Sequence, residues 1–256
     1  MTYESFEIHP LTRALGGVVS GLDLAQPLEP SVIDELKNAY LEYQVLFFRD
    51  QDLSPEQFEA FVKNFGEIDN HHFIEKVEGS KTVEHLYPKQ NDNPYVPPTS
   101  RYHIDVSMMA VPTKGAALYA VDVDDAGGDT IWVSTYAAYD GLSGPMKEFV
   151  EGRSGYFVAL HSQALNAMVQ TGPDAADAAR GYLQKPAEHP LVHTHPETGR
   201  KALFVDSLFM WSILGLHPDE SDWLKQYLFQ HIGKPEFQCR FQWQPGSLAI
   251  WDNRCT

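Results

Sequence analysis

From Arg101 onward the chain is cut into short apolar runs of strand length: Ala116 to Val123, Thr130 to Val133, Tyr156 to Leu160, Ala202 to Val205, Phe237 to Trp243 and Leu248 to Trp251. β-Branched and aromatic residues in runs of that size suit a pleated, half-buried surface. Helical patterns do not alternate with them, so a parallel sheet with helical crossovers is disfavoured. The pattern predicts a mainly β protein with flanking helices, built as a double-stranded β-helix (jelly roll), with most of the second half in sheet.

The first half carries the helical signals. Ser54-Pro55-Glu56-Gln57 has a capping serine, a proline suited to the first turn and a glutamine placed to close a capping box. Phe58, Phe61, Val62 and Phe65 follow at helical spacing. Ser31 to Tyr43 shows a similar stripe and runs into Val45-Leu46-Phe47-Phe48, which reads as helix followed by buried strand. Tyr87 to Ser100 is rich in Asn, Asp and Pro and is expected to be a loop, with a lid as one use for it. A last amphipathic helix is expected over Asp219 to Ile232, with Trp223, Leu224, Tyr227, Leu228 and Ile232 facing inward. Nothing in the composition marks a seam, so residues 1–256 read as a single domain.

Acidic residues outnumber basic ones, 35 against 19, for a formal charge of -16. Such a surface repels duplex nucleic acid and anionic membranes, and an anionic small molecule would need a local positive pocket. No apolar stretch approaches the roughly 18 residues that span a bilayer, and no signal peptide is visible, so a cytoplasmic protein is expected. Cys239 and Cys255 are too few for a disulfide framework or a thiolate metal cluster. A soluble protein of this size is expected to form a homo-oligomer.

The sharpest chemical feature is Tyr102-His103-Ile104-Asp105-Val106. Residues two apart on a strand project from one face, so an imidazole and a carboxylate could hold one metal there. Two histidines and one carboxylate on one face of an octahedral ion leave three positions open, as iron(II) needs to take a chelating cosubstrate and oxygen together. A bare His-x-Asp triplet is also a common surface or hydrogen-bonded pair. The motifs around it add to its weight: Gly127-Gly128-Asp129-Thr130-Ile131-Trp132, His193-Thr194-His195-Pro196, Ala202-Leu203-Phe204-Val205 and Ile250-Trp251-Asp252-Asn253-Arg254, in that order.

This series resembles the taurine dioxygenase family of iron(II)- and 2-oxoglutarate-dependent oxygenases. Phe65-Gly66-Glu67, Asn91-Asp92-Asn93-Pro94, Ala137-Ala138-Tyr139 and Lys234-Pro235-Glu236-Phe237-Gln238 extend the likeness over nearly the whole chain. The resemblance implies that His103 and Asp105 are iron ligands and that the Thr130 hydroxyl binds a carboxylate of 2-oxoglutarate. It also implies that His71, Val106, Met108 and Phe209 border a small anionic substrate, an organosulfonate, alkyl sulfate or aryloxyalkanoate, hydroxylated with O2 to give succinate and CO2. Ile74 replaces a tyrosine of taurine-specific members, which argues against taurine itself. The third iron ligand, a histidine, is expected two residues past Thr256, and the arginine that pairs with 2-oxoglutarate is expected beyond it.

Taken without the resemblance, several of these residues have plainer readings. Met108 and Phe209 are core candidates, His71 with His72 could be solvated loop polarity, and Gly127-Gly128 could be a simple turn. His161, His189, His193, His195 and His231 read as structural histidines. Two other functions stay open at this point: a non-catalytic jelly-roll protein binding a metal or ligand through His103 and Asp105, and a zinc hydrolase. The second lacks a His-Glu-x-x-His helix and a cysteine cluster.

Overall fold

The computed structural model describes residues 3–69, 76–86, 101–159 and 186–256. A hairpin of β1 (Glu7–Pro10) and β2 (Gly17–Ser20) leads into α1 (Pro30–Tyr43), β3 (Val45–Phe48) and α2 (Pro55–Lys63). The capping box is formed as expected: the Gln57 amide donates to Ser54 Oγ at 3.3 Å and the Ser54 amide to Gln57 Oε1 at 2.8 Å. One residue separates α1 from β3. Gln44 makes that turn in the left-handed region, at φ +67°, with its buried amide donating to Ala14 O and accepting from Ser134 Oγ.

The second half contains β4 (Gly115–Tyr119), β5 (Thr130–Val133), α3 (Thr135–Asp140), α4 (Gly144–Val150), β6 (Ser154–Phe157), β7 (Ala187–Pro190), β8 (Val192–Thr194), β9 (Lys201–Leu203), β10 (Met210–Ile213), α5 (Pro218–Ile232), β11 (Gln238–Phe241) and β12 (Leu248–Asp252). The largest sheet has the order β1-β2-β3-β12-β4, and the described strands also pair as β10-β6-β7, β11-β5 and β8-β9. Within the large sheet β2 and β3 are parallel, while β12 runs antiparallel to both β3 and β4.

The large sheet is covered on both faces, which explains why β3 is a continuous apolar run and not an alternating one. Leu46 and Phe48 of β3, with Leu248 and Ile250 of β12, join Leu36, Tyr40 and Phe61 from α1 and α2. Val45, Phe47 and Ala249 point the other way, onto Trp132, Cys239 and Phe241 of the β5–β11 ribbon. A third apolar cluster fills the space among β6, β10, α3, α4 and α5, around Phe157, Leu203, Leu224 and Leu228.

Two expectations are corrected. The second half is less purely sheet than predicted, because α3 and α4 interrupt it. They are six and seven residues long, too short for periodicity to reveal, and are announced only by Ser134 and Ser143, whose hydroxyls cap them. Trp223 faces outward, 58% exposed, and stacks on Tyr227. The buried stripe of α5 runs through Ser221, Leu224, Leu228, His231 and Ile232, which leaves Trp223 on its shoulder. The Tyr87 to Ser100 segment lies outside the described residues.

Phe47 is fully buried, stacked on Phe241 with ring centroids 4.2 Å apart and edge-on to Trp132 at 5.3 Å. Phe47→Ala is expected to cost about 3–5 kcal/mol. A urea titration should show this as a lower midpoint with an unchanged slope.

Candidate metal centre

His103 and Asp105 do not lie on a ladder-paired strand, contrary to the sequence expectation; they enter a turn spanning Asp105 to Met108. They nevertheless share a face, because Ile104 between them is buried at 3% exposure. His103 Nε2 is 3.3 Å from Asp105 Oδ1. Metal bonds of about 2.1 Å set neighbouring octahedral vertices about 3 Å apart, so the pair is spaced as two adjacent donors should be. His103 Nδ1 lies 3.1 Å from Arg101 O and donates its proton there, which turns Nε2 toward Asp105 and a prospective metal. The contact with Asp105 pushes the pKa of His103 up to about 9. The donor chemistry fits a divalent ion.

The turn is tightly braced. The Ser107 amide closes onto Ile104 O and the Met109 amide onto Val106 O. Val106 sits at φ +58°, a left-handed conformation that a β-branched residue adopts only when its surroundings hold it there. The bracing comes from Asp206 and Ser207, just after β9. Asp206 is fully buried and accepts from Ile104 N at 2.9 Å, Ser107 Oγ at 2.6 Å, Leu208 N at 2.6 Å and Phe209 N at 2.8 Å. Burial pushes its carboxyl above the usual range, and these donors pull it back. Ser207 donates to Tyr102 O through both its amide and its hydroxyl. Sequence reading missed Asp206; an acid directly after the apolar run Ala202 to Val205 was the available signal.

Thr130 opens β5 after a turn in which Gly127 and Gly128 both have positive φ, +90° and +69°. Its hydroxyl accepts from Trp243 Nε1 at 2.8 Å. An indole only donates, so the Thr130 proton stays free to be given to an anion. Met108 and Phe209 are partly buried against the third apolar cluster, and Val106 is half-buried beside Asp105. His71 lies outside the described residues, as does His161.

The remaining histidines that were read as structural are all engaged elsewhere. His189, His193 and His231 meet the carbonyls of Met109, Arg254 and Ala138 through Nε2. Burial lowers the pKa of both His193 and His231. Among the described residues the one cluster of three metal-capable groups is His195, Asp252 and Cys255, all buried. It is already satisfied. His195 Nδ1 accepts from the Glu197 and Thr198 amides, so Nε2 carries the proton and donates to Asp252 Oδ2 at 3.1 Å. Arg254 grips both oxygens of Asp252 and reaches Glu197. Burial alone would raise the Asp252 pKa, but the bonds from His195 and Arg254 hold it below the usual range.

A double sheet with an imidazole–carboxylate pair on an irregular, braced turn defines a jelly-roll class suited to one metal ion. Residues 7–256 match the family model for taurine catabolism dioxygenase TauD, TfdA family, and the chain belongs to that family. It is a dioxygenase of the alpha-ketoglutarate-dependent kind, which sets aside the non-catalytic and zinc hydrolase readings. It is 35% identical over 257 residues to the (S)-phenoxypropionate/alpha-ketoglutarate-dioxygenase of Sphingobium herbicidovorans, covering 98% of this chain and 88% of that one. It is 30% identical over 260 residues to the alkylsulfatase of Acinetobacter baylyi, covering 99% and 79%. The crystal structure of a taurine dioxygenase from Burkholderia xenovorans superposes with a TM-score of 0.82 at 34% identity, covering 98% of this chain and 82% of that one. That of AAD-2 in complex with Mn(II) and N-oxalylglycine gives 0.77 at 29%, covering 98% and 88%.

Asp252→Asn leaves Arg254 and His195 without their shared carboxylate and is expected to cost about 3 kcal/mol at pH 7. Asp252 has a folded pKa below its unfolded value, so its contribution is present above about pH 4 and is lost as pH falls through the folded pKa. Urea titrations at stepped pH should therefore show the gap between wild type and variant closing in that acid window.

Proposed function

We propose that this chain is an iron(II)- and 2-oxoglutarate-dependent dioxygenase that hydroxylates a small anionic substrate, an organosulfonate, alkyl sulfate or aryloxyalkanoate, forming succinate and CO2. The observation that carries the iron assignment is the 3.3 Å pairing of His103 Nε2 with Asp105 Oδ1, with His103 Nδ1 turned onto Arg101 O. Bound iron(II) supplies electrons and open coordination positions at which the keto acid and dioxygen meet. The substrate class is supported by relatives named as an alkylsulfatase, a sulfate ester dioxygenase and a phenoxypropionate dioxygenase. Their substrates share an sp3 carbon attached to an oxygen that can leave. Hydroxylation at that carbon, or at the sulfur-bearing carbon of an organosulfonate, gives an adduct that collapses to a carbonyl compound, and the released sulfate, phenol or sulfite takes the hydroxyl proton.

In this reading His103 and Asp105 supply two of the donors. Thr130 gives its hydroxyl proton to a carboxylate of 2-oxoglutarate, with the Trp243 indole occupying one of its lone pairs. Val106, Met108 and Phe209 form the apolar border that holds the target carbon and excludes water, and His71 is the proposed contact for the anionic group. The enzyme acts as a homo-oligomer, the usual state for a soluble enzyme of this size.

An anaerobic titration with iron(II) and 2-oxoglutarate is expected to give a weak, saturable visible charge-transfer band. Mass spectrometry should then find succinate formation coupled to turnover of at least one of the three substrate classes. No band with iron shown to be bound sinks the assignment, and a band without turnover of any class sinks the substrate claim. Thr130→Val removes a hydrogen bond to a charged group, about 1.5 kcal/mol, so the KM for 2-oxoglutarate should rise about tenfold. Iron affinity should be unchanged.

A further inference from the structure

We infer that Asp206 is a positioning residue of this site, one whose two buried carboxylate oxygens hold the His103–Asp105 turn and the Phe209 segment at a single fixed spacing. The inference rests on the reading of His103 and Asp105 as iron donors. Its basis is the division of labour between the two oxygens. Oδ2 accepts from Ile104 N and Ser107 Oγ, the residues flanking and closing the turn that bears Asp105. Oδ1 accepts from Leu208 N and Phe209 N, the backbone that carries the proposed aromatic border of the substrate pocket.

Four donors converge on this one side chain, and only a carboxylate presents acceptors at both ends. An apolar residue of similar size would leave the buried Ile104 amide and the part-buried Leu208 and Phe209 amides without these partners. Ile104 lies between the two proposed ligands in sequence, so its amide position sets the angle at which His103 and Asp105 emerge. Val106, held at φ +58° immediately afterwards, would relax once the tether on Ile104 and Ser107 was lost. Asp206 therefore acts on the metal through the backbone, in the way that outer residues commonly tune a metal site.

Asp206→Asn separates the two halves of the tether. Its Oδ1 can still accept from Leu208 and Phe209, and the Ser107 hydroxyl can rotate to accept from Nδ2, but the amide nitrogen confronts the Ile104 N–H with donor against donor. The variant is expected to bind iron(II) about tenfold more weakly, to shift the charge-transfer band with 2-oxoglutarate, and to form less hydroxylated product per succinate. In the metal-free variant the Ile104 amide should exchange faster with deuterium while those of Leu208 and Phe209 stay protected. Ser107→Ala, which deletes one bond to Oδ2, should move iron affinity in the same direction by less, and serves if Asp206→Asn fails to fold. Ser221→Ala removes a buried hydrogen bond to the Ile213 amide at the start of α5 and is the control for simple destabilisation: it should lower Tm without changing iron affinity or coupling. Wild-type iron affinity and coupling in Asp206→Asn, beside a normal band in the wild type, overturn the inference alone. An equal loss of affinity in Ser221→Ala also overturns it. Absence of the band from the wild type overturns the oxygenase reading and the inference with it.

Discussion

Strands β3 and β12 have almost no exposed side, and the placement of the rest of the chain follows from that constraint. Helices α1 and α2 cover one face of the sheet they centre, while the β5–β11 ribbon covers the other. A strand buried on both faces cannot slip by one residue without exchanging two packed layers, so its register is firmly set. The pairing of Leu248 with Phe48 on one side and Tyr119 on the other fixes β4 as well. Gly115, at the start of β4, completes this fit: a Cβ there would lie 2.4 Å from both Trp251 O and the Tyr40 hydroxyl. That hydroxyl donates to Trp251 O, so helix, strand and strand meet at one point.

Much of this was legible in the sequence because apolar runs report burial directly. Val45 to Phe48 was readable as a buried strand, and Ser54 to Gln57 as a helix start, since each pattern has a local physical cause. Helices α3 and α4 were not, because one or two turns hold too few residues for a periodicity. Trp223 shows a different failure. An aromatic ring near an apolar stripe looks like core, but tertiary packing decides which shoulder of a helix is covered, and here the covered stripe falls one residue away.

For the site, the sequence yielded side-chain identity and little of the backbone. His103 and Asp105 stand out by their spacing, yet the structure places them at the start of a turn and not on a paired strand. The turn that carries Asp105 holds a left-handed valine, and a valine carries no sequence signal for that conformation. Asp206 and Trp243 escaped notice for a related reason. Each acts through a partner distant in the chain, Ile104 in one case and Thr130 in the other.

The irregularity of the metal turn suits its proposed task. In a paired strand the Ile104 amide would be committed to a neighbouring strand and the donors would follow the geometry of the sheet. Here that amide is committed to a side chain, so one carboxylate holds the backbone between His103 and Asp105. A similar division holds around Arg254, which is the last arginine of the sequence and a natural candidate for meeting an anion. It is already committed. Three of its nitrogens hold Asp252 and Glu197, and their negative charges raise its pKa further although burial opposes this. Recruiting it to a substrate or cosubstrate carboxylate would strip a buried aspartate of its partner, a cost of several kcal/mol that a small anion could not readily repay. In a chain of charge -16 its place is in the scaffold, and the anionic groups of the reaction must be met by other residues.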